Sequence, residues 1–190
     1  RGTKIKLGSR VANITPANEG ITIDNETFAS LIVVTAPQHA AKLLPITPFD
    51  FDFEPIATVY LQFAADFRLP FPLLKQTGKY GQWAVDRGKG LIGCVLSGHG
   101  DWEALADDDL VVAMQSELAG GDVADWHKVI REKRATFACR PGVRRPDCQT
   151  THPRVCLAGD HTWADYPATL EGAVRSGKRA ARLLQSRYNR

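Results

Sequence analysis

Apolar and polar positions change character three times along the chain. The first stretch, 1–8, alternates (Arg1-Gly2-Thr3-Lys4-Ile5-Lys6-Leu7-Gly8), and Val11 and Ile14 continue the alternation, which predicts a strand. Ile21-Thr22-Ile23 and Glu26-Thr27-Phe28 flank Asp24-Asn25, the signature of a hairpin with a two-residue turn. The run 31–35 (Leu-Ile-Val-Val-Thr) is apolar and β-branched, which suits a buried strand that stops at Ala36-Pro37. Ala40, Ala41, Leu43 and Leu44 then give a short helical turn, closed by Pro45.

From about 53 to 139 the period is mostly two. Residues 56–63 form a long β-rich run, and 82–86 and 91–97 predict two more strands around Gly88-Lys89-Gly90. Pro70 and Pro72 restrict 69–74 to a sheet edge or a loop. One helix interrupts the strands. Asp107, Asp108 and Asp109 suit its positive N-terminal end, Leu110, Val111, Met114 and Leu118 share one face, and Gly120-Gly121 supplies the stop. A last strand covers 129–139.

The third stretch, 154–177, reads strand, tight turn, loop, helix. Val155, Cys156 and Leu157 suit a buried strand, and Ala158 and Gly159 allow close approach of backbone or ligand. Asp160 then falls just past the strand, where open α/β sheets present ligand-binding groups. Pro167 precedes a helix with Thr169 at its N-cap, and Gly172, Ala173, Gly177, Ala180 and Ala181 give that helix a small-residue face. Such a helix start offers N–H groups to an anion or a carbonyl.

Composition adds little. The chain has 190 residues, 44% of them hydrophobic and 24% charged, enough for a sizeable core in one domain or a modest pair. The formal charge of +3 is small and diffuse and does not point to nucleic acid. Nothing resembles a signal peptide or a membrane span. Cys94, Cys139, Cys148 and Cys156 form no C-x-x-C pair. Cys148, His152, Cys156 and His161 match no usual zinc spacing, so reduced cysteines and no metal are expected.

The spelling of 157–181 closely resembles the last strand–helix unit of the FAD-dependent amine oxidase and phytoene desaturase superfamily. The resemblance implies FAD as cofactor, bound at Gly159, Asp160, Ala168, Thr169 and Leu170, with Asp160 at its ribityl chain and phosphates and backbone N–H groups of Thr169–Leu170 on the flavin pyrimidine carbonyl. The hairpin, buried strand and Ala-Pro step are similar too, which implies Val11 beside the adenine and Ala36 close to the dinucleotide. The resemblance implies an α/β (α+β) fold. It would hold part of an FAD-binding Rossmann-like domain (1–48 and 141–190) and a mostly antiparallel substrate domain with a covering helix (49–140). The family's G-x-G-x-x-G fingerprint is absent, the nearest string being Ser97-Gly98-His99-Gly100. The chain is therefore expected to be the C-terminal portion of a longer flavoenzyme, inactive alone.

Phe67-Arg68-Leu69-Pro70, 81–88 and Lys133-Arg134-Ala135-Thr136-Phe137 resemble the squalene-associated branch, the hydroxysqualene dehydroxylases of bacterial hopanoid synthesis. That branch implies a squalene-type lipid as substrate and a pocket of apolar strand residues, with Val59, Leu61, Trp83 and Val85 as candidates. Alternation allows only about half of such residues to face one pocket. Two departures separate the chain from amine oxidases. Thr169 stands where many carry an aromatic residue, and the strand at 56–63 has no lysine. A flavin amine oxidase or protoporphyrinogen-oxidase-like enzyme is the alternative, and a non-catalytic lipid- or partner-binding domain the third. Asp86 and Tyr166 are candidate acids without an assigned role. Phe67, Arg68, Leu69 and Phe71 are candidates for a basic–aromatic edge by which a cytoplasmic enzyme would visit the inner membrane.

Overall fold

The computed structural model describes residues 2–46, 49–119 and 122–188. In chain order it contains β1 (Ile14–Pro16), β2 (Ile21–Ile23), β3 (Glu26–Phe28), β4 (Leu31–Val33), α1 (Pro37–Leu43), β5 (Phe53–Gln62), β6 (Leu73–Lys75), β7 (Trp83–Asp86), β8 (Leu91–Ser97), α2 (Asp107–Ala119), β9 (Trp126–Phe137), β10 (Val155–Leu157) and α3 (Leu170–Tyr188). Contacts divide the chain into two units, Arg1–Phe51 with Cys139–Arg190, and Asp52–Ala138. The fold is α/β with antiparallel sheets and few helices.

The first unit holds two small sheets. β1, β2 and β3 form an antiparallel meander in which Ile23 faces Glu26, so Asp24 and Asn25 make the two-residue turn. Asp24 takes φ 51°, and its Oδ1 accepts the N–H groups of Ala12 and Asn13. β4 and β10 form the parallel pair, Leu31 opposite Val155 and Val33 opposite Leu157. Their apolar sides meet Ile21, Ala40 and Leu44 in one core. β10 also borders a second cluster with Cys148, Ala180 and Leu184. The strand expected from the first residues is not formed. Gly8 turns the chain at φ 66°, and Ile5 and Leu7 lie exposed with no strand beside them among the described residues.

The second unit is a five-stranded antiparallel sheet, in the order β6-β7-β8-β5-β9, with α2 across one face. Strand alternation decides which residues meet α2. Ala57, Val59 and Leu61 of β5, Ala84 of β7, and Ile92, Cys94 and Leu96 of β8 are all fully buried with Leu110, Val111 and Met114 of α2. Arg131 of β9 ties the helix start down. Its Nε donates to Asp107 Oδ1 at 2.8 Å and its Nη2 to the Leu105 carbonyl at 2.8 Å. Pro72 precedes β6, which is an edge strand, the place where proline costs no ladder bond. The expected Gly120-Gly121 stop lies outside the described residues.

Candidate functional site

The site grows out of the parallel pair. Parallel neighbours send the loops that follow them to the same end. Thr35 and Ala36 follow β4 at that end, and Ala158, Gly159 and Asp160 follow β10. The Ala158 N–H donates to the Val33 carbonyl at 2.9 Å, which carries the pairing one residue past β10.

Gly159 is fixed by what surrounds it. A Cβ there would stand 2.4 Å from Cε1 of His161, so the imidazole occupies the room a side chain would need. Its N–H donates to Oγ of Ser176 at 2.8 Å, and that hydroxyl donates to the Ala173 carbonyl at 2.7 Å. Ser176 is fully buried and so couples the turn after β10 directly to the first turns of α3. Asp160 opens a short 3-10 turn, Asp160–Thr162, with its side chain about one-third exposed. Its Oδ1 lies 3.5 Å from Nδ1 of the buried His161, which makes no hydrogen bond among the described residues. Phe49 and Phe51 pack on that ring.

The loop into α3 is held at both ends. Arg145 donates to the carbonyls of Trp163 and Ala164. Tyr166 and Ala168 take φ 51° and 56°, a conformation that costs a non-glycine residue energy and that clusters at ligand sites. Thr169 caps the helix as its sequence position suggests. Its Oγ1 accepts the Gly172 N–H at 3.1 Å and donates to the Tyr166 carbonyl at 2.6 Å. The Thr169 carbonyl takes the Ala173 N–H. The N–H groups of Leu170 and Glu171 have no partner among the described residues, and Leu170 is 88% exposed. The helix start therefore presents donors and the positive end of its dipole.

Val11 lies elsewhere in the same unit. It lines a concavity of about 530 Å³ with Ile23, Leu31, Val33, Thr35 and His39. Ala36 is the N-cap of α1, between Thr35 and His39 in sequence. The structure thus groups Gly159, Asp160, Ala168, Thr169 and Leu170 on one turn and helix start, and puts Val11 beside the loop that carries Ala36.

The four apolar pocket candidates separate. Val59 and Leu61 are completely buried against α2. Trp83 is 42% exposed and Val85 half-buried on the opposite face of the sheet. Asp86 holds the edge of that sheet together. It accepts the N–H groups of Gly88 at 2.7 Å and Leu69 at 3.2 Å, which hold its carboxyl below the usual carboxylate range. A carboxylate kept ionised in this way is a poor proton donor. The basic–aromatic edge is also corrected. Phe67 stacks on Phe63 at 4.3 Å, Leu69 is buried, and Arg68 donates to carbonyls of its own loop, which leaves Phe71 exposed. Among the described residues no helix is long and apolar enough to cross a membrane, and no cluster of metal-binding side chains forms. Burial pushes the Cys148 thiol up to about 12, which keeps it neutral.

Sequence reasoning missed Ser176. The signal was its place in the i, i+4, i+8 series Ser176, Ala180, Leu184, which is the buried stripe of α3.

A parallel strand pair that brings a glycine turn and an open helix start to one end defines a nucleotide-cofactor unit of the α/β class. Residues 1–185 match the family model described as flavin containing amine oxidoreductase, and the chain belongs to that family. A hydroxysqualene dehydroxylase of Rhodopseudomonas palustris is 28% identical over 208 aligned residues, covering 97% of this chain and 47% of the relative. The fold is similar to that of cyclohexylamine oxidase from Brevibacterium oxydans, with a TM-score of 0.72 at 15% identity over 95% of this chain and 49% of that one. It is also similar to L-alpha-glycerophosphate oxidase from Mycoplasma pneumoniae, solved with FAD bound, with a TM-score of 0.58 at 14% identity over 92% and 50%. The chain spans about half the length of these proteins. The cofactor of the family is a flavin, and FAD is the form this chain's sequence and fold indicate.

Proposed function

We propose that this chain is part of an FAD-dependent oxidoreductase that acts on a squalene-type isoprenoid lipid. The residues present suit the cofactor. The glycine turn, Asp160 and the Leu170–Glu171 N–H groups offer small surfaces, an acceptor for hydroxyls and donors for carbonyl oxygens. Asp160 and the helix start would hold the group, Ser176 and Thr169 would keep both in place, and Val11 and Ala36 would border its nucleotide end. When bound, FAD would supply hydride transfer, while the protein provides orientation and a dry wall.

The observation that carries the substrate class is the open face of the five-stranded sheet. Register places Lys75, Trp83, Val95, Thr58 and Ile130 in one row across β6-β7-β8-β5-β9, and Leu73, Val85, Gly93, Tyr60 and Lys128 in the next. Both rows are mostly apolar or aromatic, broken by Thr58, and each has a lysine at one end; the next row holds Ser97, Ile56 and Glu132. A hydrocarbon chain finds area to bury on such a face. A cationic amine would meet an ammonium group at one end of each row. β5 also contains no lysine, and Thr169 supplies no aromatic face.

The test is product analysis by mass spectrometry on the complete gene product. FAD is supplied oxidised and, separately, reduced, with hydroxysqualene or cyclohexylamine as substrate. Conversion of the lipid with the amine untouched is expected. Amine turnover with release of hydrogen peroxide, and an unchanged lipid, would replace this reading with an amine oxidase.

A further inference from the structure

Gly93 sits in the middle of β8, at the centre of the open sheet face. Glycine weakens a strand interior, so its presence there asks for a reason. The backbone gives none, because Gly93 is not among the residues with positive φ. Crowding gives none either. A Cβ at this position would meet Cε1 and Cδ1 of Tyr60 at 3.5 and 3.7 Å and Cγ2 of Thr58 at 3.9 Å, all ordinary contacts.

What the missing side chain leaves is a clear patch beside the Tyr60 ring. Tyr60 is directly opposite Gly93 on β5, and its ring leans over the glycine, toward the middle of the sheet. Its hydroxyl makes no hydrogen bond among the described residues. The neighbours in that row are Val85 and Leu73 on one side and Lys128 on the other. A tyrosine hydroxyl that makes no hydrogen bond in the unit, beside Val85 and Leu73, is a polar handle of the kind that orients a mostly apolar ligand.

We infer that Tyr60 is a specificity-determining residue. Its hydroxyl pairs with the single hydroxyl of an isoprenoid alcohol lying across the sheet, and Gly93 leaves the surface beside the ring clear for the hydrocarbon. The inference rests on the lipid-substrate reading above and adds the residue that reads the hydroxyl.

The experiment uses the complete, FAD-loaded gene product in detergent micelles. Squalene and its monohydroxylated derivative are titrated while tryptophan fluorescence is followed, Trp83 being on the same face. The wild type is expected to bind the alcohol roughly 3- to 10-fold more tightly, the worth of one neutral hydrogen bond. Tyr60→Phe is expected to bind both equally, with squalene affinity and melting temperature unchanged, since its hydroxyl makes no internal bond. Gly93→Val, which fills the clear surface beside the ring and keeps the hydroxyl, is expected to weaken both lipids. A Tyr60→Phe variant that keeps the preference overturns the role of Tyr60 and leaves the lipid reading standing. A wild type that binds neither lipid overturns both.

Discussion

Gly172→Ala is expected to strip the protein of most of its flavin. A Cβ at this position would lie 2.4 Å from the carbonyl oxygen of Tyr166, a backbone atom. No flexible side chain can move aside to absorb the overlap. Tyr166 and Ala168 are held at left-handed φ, and the Tyr166 oxygen already accepts the Thr169 hydroxyl. Relief must come from shifting the loop or the first turn of α3, which breaks the bond between Thr169 and the Gly172 N–H. Loss of a cap costs about 1 kcal/mol. Overpacking adds roughly 1–3 kcal/mol. The better helix propensity of alanine returns only about 1 kcal/mol. The fold should survive with a lowered melting temperature, while the Leu170 and Glu171 donors leave their positions. The flavin-to-protein ratio after purification checks this. Gly177→Ala is the control, since a Cβ there meets nothing within 4 Å. It should retain flavin and melt slightly higher. Equal flavin content in the two variants would mean that the start of α3 does not hold the cofactor.

Gly90→Ala is expected to be the most destabilising single methyl in the second unit. Gly90 takes φ 75°, and a Cβ would stand 2.2 Å from the Ala64 carbonyl oxygen and 2.5 Å from that of Phe63. The turn from β7 to β8 is pinned to the end of β5 at this point. The Phe63 N–H donates to the Gly90 carbonyl at 2.9 Å, and the Gln62 amide donates to the Lys89 carbonyl at 2.8 Å. The left-handed conformation alone costs a residue with a side chain about 1–2 kcal/mol. Overlap with two backbone oxygens adds roughly 1–3 kcal/mol. Gly88 separates the two causes, because it has φ 83° and open space where its Cβ would go. Gly88→Ala should lose only the conformational part. Urea unfolding of both variants gives the difference. Similar midpoints for the two would show that the turn relaxes without disturbing β5.

The terminal strand–helix unit was legible because each of its steps has a local chemical cause. Three apolar residues make β10, Thr169 caps α3, and the small residues of the helix let it approach the turn. The hairpin at Asp24-Asn25 and the apolar face of α2 were legible for the same reason. Other features depend on partners far away in sequence. Alternation along β5 shows that Val59 and Leu61 share a face, but not that α2 takes that face and leaves Tyr60 on the other. Residues 1–8 alternate as a strand does, yet alternation without a neighbour to pair with does not make one. Phe67 and Leu69 read as an exposed edge because the sequence does not show that the Phe67 ring folds back onto nearby Phe63, or that Leu69 joins the core cluster with Leu110 and Met114. Ser176 was hidden among the small residues of α3, since only the fold brings the Gly159 N–H to its hydroxyl.

A flavoprotein reading has one direct test, the visible absorption spectrum of the purified complete gene product before and after FAD is added. The bands of oxidised flavin are expected in the wild type, and they should be lost from Gly172→Ala and kept in Gly177→Ala. A colourless wild-type protein that gains no flavin bands when FAD is supplied would contradict the assignment of Gly159, Asp160 and the start of α3 as a cofactor site.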